Sequence, residues 1–309
     1  MTITLIGHLC LDTIHLPEDQ IHQSFGGIIY SIAALAALMG PDDRIIPVLG
    51  VGAKEYPAFL EWLAQYPNVR TDGIFKLKGP TNEVHLYYEA QGGGRIECSK
   101  DISPSIPFAN IKPFLNCDGI LVNMISGFDI TLETLDFIRM EVRDKGTPIH
   151  FDFHSLTLGI DPENKRFRRP LSDWRRWCFM LHSIQLSEQE AAGLTAERYT
   201  EENLINQLMP LMVKALLITR GEKGVTLIEQ NQKKLKHYDE PAIELPSFVD
   251  STGCGDVFGA AFLFYTVQSS DIVHAFRMAN RAAAFNATQS GPDGLRSLSE
   301  YLKTSSPAQ

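Results

Sequence analysis

The chain has 309 residues, with 28 lysines and arginines against 37 aspartates and glutamates, for a formal net charge of −9. That balance argues against nucleic acid and anionic membrane as partners, because both are recognised through a basic field. The five cysteines, Cys10, Cys98, Cys117, Cys178 and Cys254, are odd in number and lack Cys-x-x-Cys spacing, which argues against a disulfide framework or a zinc site and for a reducing cytoplasm.

Ile3-Thr4-Leu5-Ile6 before Gly7 reads as a buried strand ending in a glycine turn, with no secretory leader ahead of it and no membrane-length apolar run after it. Asp12 follows closely; an ionised carboxylate there can accept two hydroxyl donors or cap a turn. Phe25-Gly26-Gly27 precedes an alanine-rich helix over 28–39, closed by Gly40-Pro41, with Tyr30 and Ser31 in its first turn. A strand over 45–49 and a helix over 56–66 continue the alternation. The segment 83–89 then has the period of a strand exposed on one face, and Gly92-Gly93-Gly94 turns it into a second strand from Arg95, an antiparallel interruption.

The strand 119–123 ends at Asn123, at the end of the sheet where ligands gather in open α/β folds. A helix over 132–145 leads to a strand over 149–153, in which His150, Asp152 and His154 share a face by period two. Hydrogen bonding at the site end explains that trio better than a metal. Lys165-Arg166-Phe167-Arg168-Arg169 is expected as a solvated helix face. A strand over 179–186 runs into Ser187-Glu188-Gln189-Glu190, a capping-box pattern. The strand 215–219 runs into Thr219-Arg220-Gly221-Glu222-Lys223-Gly224, and hairpin strands over 225–229 and 234–238 follow.

Val249-Asp250-Ser251-Thr252-Gly253-Cys254-Gly255-Asp256 then joins a run, 257–265, that is apolar on every side and reads as a buried helix. A glycine turn opening into a helix points unpaired backbone N–H groups, backed by the positive end of the helix dipole, at one spot. Asp256 places a carboxylate inside this anion site. It would repel a resting phosphate, and its evident task is to take a proton from an attacking hydroxyl. A helix over 272–288 and the loop Ser290-Gly291-Pro292-Asp293-Gly294 complete the pattern before a polar tail past 302. No Walker A loop occurs, and Gly253, Gly255 and Gly259 miss the dinucleotide fingerprint by one residue.

The stretch from Asp250 to Asp256 resembles the Asp-Thr-x-Gly-x-Gly-Asp signature of the PfkB (ribokinase-like) carbohydrate kinases, with Ser251 and Cys254 at its variable places. The resemblance runs in order through Asp12, Gly26-Gly27, Glu190, Thr219 with Gly221, and the glycine turn. It implies a ribokinase-like three-layer αβα sandwich, one domain over 1–309, with a small β-sheet lid from segments near 10–22 and 70–101. It further implies transfer of the γ-phosphate of ATP to a hydroxyl of a sugar-like acceptor. Asp256 is then the base, and Gly253, Cys254 and Gly255 supply the anion hole.

By the same resemblance Asp12, Gly26, Gly27, Ser31, Arg95, Asn123 and Asp152 face the acceptor. Ser187, Thr219, Gly221, Gly224 and Asn286 face the nucleotide. Glu190 organises Mg²⁺ through water, and Asp250 and Gly291 are candidates for a monovalent cation, K⁺. Ser31 and Ser187 stand where the family has Asn, which leaves a nucleoside or inositol-like acceptor open and gives some footing to a non-catalytic, ligand-binding or regulatory homologue. A nicotinamide-dependent oxidoreductase is a distant third. A homodimer through the lid is the partner arrangement implied.

Overall fold

Side chains alternate between two cores along the central strands. Ile3 and Leu5 enter one hydrophobic cluster and Ile6 the other; Leu121 enters the first, Ile120 and Val122 the second; Leu217 the first, Leu216 and Ile218 the second. Strands with both faces buried in this way require helices above and below the sheet. The computed structural model describes residues 1–15, 21–88, 95–231 and 234–304.

The strands are β1 (Thr2–Ile6), β2 (Leu9–His15), β3 (Ile21–Gly27), β4 (Arg44–Val51), β5 (Ile74–Lys76), β6 (Asn82–Tyr88), β7 (Arg95–Lys100), β8 (Gly119–Asn123), β9 (Ile149–Asp152), β10 (Leu158–Ile160), β11 (Arg166–Arg168), β12 (Ser183–Ser187), β13 (Ala215–Thr219), β14 (Val225–Asn231) and β15 (Lys234–Glu240). The helices are α1 (Ile29–Leu38), α2 (Tyr56–Leu63), α3 (Phe108–Ile111), α4 (Leu132–Val142), α5 (Trp174–Cys178), α6 (Glu188–Gly193), α7 (Glu201–Leu208), α8 (Cys254–Ser269), α9 (Ile272–Asn286) and α10 (Leu298–Thr304). Among the described residues no helix is long and apolar enough to cross a membrane.

The main sheet has nine strands in the order β15-β14-β13-β12-β9-β8-β1-β4-β5, parallel except at the β14–β15 hairpin edge. The helices α1, α2, α8, α9 and α10 pack on one face and α3 to α7 on the other, giving the three-layer sandwich expected from the sequence. At the C-terminal edge of the sheet Asn123 of β8 bonds Asp256 in α8, Gln185 of β12 bonds both Gly255 and Asp152 at the end of β9, and Thr219 at the end of β13 lines one cavity with Cys254 and Gly255.

A second sheet, β3-β2-β6-β7, stands apart from the alternation. It holds β2, β6 and β7 from the segments expected near 10–22 and 70–101, whereas β5 pairs with β4 at the edge of the main sheet, and β3 runs on to Gly27, so the glycine pair ends a strand as well as preceding a helix. Residues 16–20 and the glycine turn at 92–94 lie outside the described residues, as does the side chain of Arg95.

Two local expectations are corrected. The basic run at 165–169 is no helix face: β11 pairs with β10, and the stretch before it bonds β7 through a Cys98–Lys165 bridge and a Ser99 N–H to Asn164 carbonyl bond of 2.9 Å. The strand expected from 179 begins only at Ser183, because Phe179 lies at the surface and Met180 takes a left-handed backbone with φ 57°.

Candidate active site

The turn into α8 is set by Gly253, which caps the helix at φ 78° with no capping side chain. A β-carbon there would be strained and would also lie 2.2 Å from Tyr30 Cδ1, so only glycine lets the Tyr30 ring pack on this backbone. The Cys254 N–H turns back to the Ser251 carbonyl at 3.2 Å, which removes one amide from the expected anion hole. Among the described residues the amides of Gly253 and Gly255 have no such partner, and the dipole of a 16-residue helix stands behind them. The Asp250 carboxylate holds the preceding bend by accepting from the Thr252 N–H and hydroxyl at 3.0 and 2.9 Å. Its backbone N–H reaches the Ala287 carbonyl just past α9, while Gly291 forms the next left-handed bend at φ 77°.

Asp256 follows one residue beyond Gly255, and the residue is 8% exposed. Asn123 Nδ2, at the end of β8, donates to its Oδ1 at 2.5 Å. Burial raises the carboxyl above the usual aspartate range, opposed by the charge of His154 and by the Asn123 hydrogen bond. A polar network runs beneath it. Gln185 on β12 donates to the Gly255 carbonyl at 2.9 Å and to Asp152 Oδ2 at 3.2 Å, and its Oε1 lies 3.3 Å from His150 Nε2. His150 Nδ1 lies 2.8 Å from Ser183 Oγ. Complete burial lowers His150 to about 3, so it is neutral, and an Nε2–H tautomer satisfies both contacts. Asp152, raised well above its ordinary range by burial and by the neighbouring Glu190 and Asp256 carboxylates, also accepts from the His154 N–H at 3.2 Å. His154 itself lies past the strand with an exposed side chain. The trio on β9 therefore does not converge on a metal, and among the described residues no three acidic, histidine or cysteine side chains gather to hold one.

On the small-sheet side, Asp12 packs against Gly26 so closely that a β-carbon on Gly26 would meet its Oδ2 at 1.9 Å. Cys10 Sγ donates to Asp12 Oδ1 at 3.1 Å, and Gly27, at φ 67°, lets Ile125 and Cys10 approach. Ser31 does not reach this cleft. It is fully buried, and its hydroxyl donates to the Asp256 carbonyl at 3.2 Å, tying α1 to α8.

On the opposite side, a cavity of about 710 Å³ is floored by Cys254 and Gly255 and edged by Thr219, Gly221 and Gly224. Its other wall is apolar, with Ile243, Phe248, Phe258 and Ala283 among the lining residues. Asn286 does not line it: the side chain is buried and donates to the Thr252 carbonyl at 2.8 Å, bracing the turn from α9. Ser187 and Glu190 make the reciprocal capping box of α6, with the Glu190 N–H reaching Ser187 Oγ at 3.2 Å and the Ser187 N–H reaching Glu190 Oε2 at 2.7 Å. Glu190 still faces Asp152 electrostatically.

Three residues of this region carry no motif. Gln185 lies at the centre of β12, Ser-Ile-Gln-Leu-Ser, and a glutamine flanked by Ile184 and Leu186 was the available clue. Tyr30 had none. Arg166, within the basic run expected on a helix, is largely buried, donates to Ser99 Oγ at 2.6 Å and Ser155 Oγ at 3.3 Å, pairs with Glu97 at 3.5 Å and lies within electrostatic range of Cys10.

The model of the pfkB family carbohydrate kinases matches residues 162–297. The chain is 35% identical over 279 residues to the ribokinase of Bacillus subtilis (strain 168), covering 87% of this chain and 83% of that protein. It is 23% identical over 265 residues to the cytidine kinase of Thermococcus kodakarensis, covering 85% and 87% of the two. Among solved structures, a pyrophosphate-dependent kinase in the ribokinase family, complexed with a pyrophosphate analog and myo-inositol, superposes with a TM-score of 0.76 at 19% identity over 98% of this chain and 99% of its own. With that fold, and with a ribokinase aligned over most of both lengths, the chain belongs to the PfkB family of carbohydrate kinases, phosphotransferases of the ribokinase superfamily.

Proposed function

We propose that the protein transfers the γ-phosphoryl group of ATP to a hydroxyl of a sugar-like acceptor. The observation that carries this is the start of α8, where a buried carboxylate held by Asn123 follows directly on amides left open for an anion. A buried charge is costly to fold around, so a carboxylate in this position needs a function to retain it. The attacking hydroxyl gives its proton to Asp256 as its oxygen bonds to phosphorus. The Gly253 and Gly255 amides offset charge on the transferring group. Gln185 holds the Gly255 carbonyl, and with it the direction in which the turn presents its amides.

Magnesium, when bound, would supply charge neutralisation at the phosphates. Glu190 and Asp152 form an acidic recess beside the turn that suits it. Because no three acids converge among the described residues, they would hold the ion largely through water.

The apolar wall of the large cavity favours a nucleotide donor over bare pyrophosphate, which offers nothing to bury there. The melting temperature is expected to rise with Mg²⁺ and a non-hydrolysable ATP analogue and to be unmoved by pyrophosphate at equal concentration; the reverse pattern would contradict the donor assignment. On the acceptor side, the narrow gap under the small sheet is lined by Asn82, Ser99, Ser126 and Arg166 together with the apolar Val84, Ile102 and Ile125. The reading as a sugar-like acceptor rests on Asp12, whose carboxylate can accept two hydroxyl donors at once.

We also infer a homodimer through the small sheet. Ile21, Tyr87 and Ile96 are exposed and lie in one cross-strand row with His15, an apolar stripe on its outer face. Sedimentation at micromolar concentration is expected to give a dimer that Tyr87→Glu dissociates; a monomeric wild type would refute it. An odd number of cysteines without Cys-x-x-Cys spacing supports a reducing, cytoplasmic setting.

A further inference from the structure

Tyr30 sits in the first turn of α1 and is 7% exposed. Its ring lies on the backbone of Gly253, where a β-carbon would come within 2.2 Å of Cδ1 and 2.3 Å of Cγ. Among the described residues its hydroxyl has no hydrogen-bond partner, yet it is not sealed in the interior as the partnerless hydroxyls of Tyr66 and Tyr199 are. It therefore reaches solvent. The phenol is within electrostatic range of Asp12, Asp250 and Asp256, so it stands between the acceptor carboxylate and the base, beside the anion-binding turn.

Packing alone does not account for the oxygen. A phenylalanine would fill the same space on Gly253, and a buried tyrosine hydroxyl ordinarily finds a partner. Burial and the surrounding carboxylates hold the phenol protonated well above its ordinary range, so it is a proton donor throughout the working pH range. The missing partner is then an acceptor of hydrogen bonds. The base of the ring lies against Gly253, whose amide belongs to the anion hole, and Asp12 is the charge that acts on the phenol most strongly, so the side chain reaches from the turn toward Asp12, across the path between phosphoryl group and acceptor.

We propose that the Tyr30 hydroxyl donates a hydrogen bond to a non-bridging oxygen of the phosphoryl group in transit, as a side-chain member of the anion hole. This rests on the kinase function proposed above. In the step itself the acceptor oxygen–phosphorus bond forms, the bond from phosphorus to the departing ADP oxygen breaks, and the acceptor proton passes to Asp256. Tyr30 keeps its own proton.

Tyr30→Phe removes one oxygen and leaves the ring, so its melting temperature should match that of the wild type. Its kcat is expected to fall on the order of 10- to 100-fold, with the acceptor KM within about twofold of wild type. In calorimetry, ADP–Mg²⁺ with aluminium fluoride, which stands in for the phosphoryl group, should bind the variant more weakly by a similar factor, while ADP–Mg²⁺ alone binds equally. Unchanged kcat together with unchanged aluminium fluoride affinity would overturn the assignment. So would a raised acceptor KM at unchanged kcat, since the hydroxyl would then belong to the acceptor. Wild-type protein that releases no ADP with any acceptor, and binds ADP no tighter with aluminium fluoride, would instead remove the kinase function on which Tyr30's role depends.

Discussion

Gly253→Ala should lose both turnover and stability, while Gly255→Ala, two residues on, should keep its fold. At Gly253 the backbone is left-handed at φ 78°, a region that costs an alanine about 1–2 kcal/mol. The new methyl would also drive into the Tyr30 ring at 2.2 Å, an overpacking worth roughly 1–3 kcal/mol if the ring cannot give way. Tyr30 is part of the core, so the relief available is a shift of the turn itself. A melting temperature lower by on the order of 5 °C is expected, and turnover lower by about 10²-fold as the amides move off the position where charge develops. At Gly255 the same methyl meets only Gln185 Nε2 at an ordinary 3.5 Å and φ is not positive, so thermal unfolding of that variant should match the wild type. Equal melting temperatures for both variants would show that the turn is not held as described.

Much of the main sheet was legible because its strands are buried on both faces and separated by glycine turns and amphipathic helices, which one-dimensional patterning records well. The α8 turn was legible for a different reason: glycines beside an acid at the head of an all-apolar helix combine open amides with a proton acceptor, a pairing that ordinary packing does not require. The small sheet was harder. β3 reads Ile-His-Gln-Ser-Phe-Gly-Gly, mostly exposed, and carries no clean alternation. The three-residue β11, Arg-Phe-Arg, alternates correctly but was hidden by the flanking charges and is a strand only because β10 and β7 lie beside it.

Site residues divided in the same way. Asn123 and Asp256 sit at a strand end and in the first turn of a helix and point where those ends point, whereas Asp12 lies in the middle of β2, packed against Gly26. Ser31 and Asn286 were placed in the cleft by position along the chain, yet each is turned by tertiary packing onto a carbonyl of the α8 turn. What a serine or an asparagine bonds depends on the element packed across from it, which no local spacing encodes. Gln185 and Tyr30 meet the turn across separations of 70 residues and more, and were invisible for that reason.

Asp256→Asn should lower turnover by about 10³-fold, the usual scale of a general base, while leaving the protein folded and no less stable. The sign of the stability effect follows from the raised proton affinity of this carboxyl in the fold. A carboxyl whose folded pKa lies above its unfolded value contributes stability that is complete below the unfolded pKa and is lost as pH rises through the folded one. At neutral pH the ionised Asp256 is therefore a cost to the fold, and the neutral amide removes it. The melting temperature of the variant should equal or exceed that of the wild type at pH 7 to 8, and the difference should close on acidification. In the wild type, kcat/KM should fall with acid through a pKa above the usual aspartate range.

The most direct measurement is acceptor-dependent ADP release from Mg²⁺–ATP over a panel of sugars, polyols and nucleosides, run side by side on wild type and Asp256→Asn. At least one sugar-like acceptor should accelerate release in the wild type far above the acceptor-free rate, and the variant should stay near that background while still binding ADP. Release that no acceptor stimulates, or that both proteins sustain equally, would contradict a base and an anion hole acting together on one phosphoryl group.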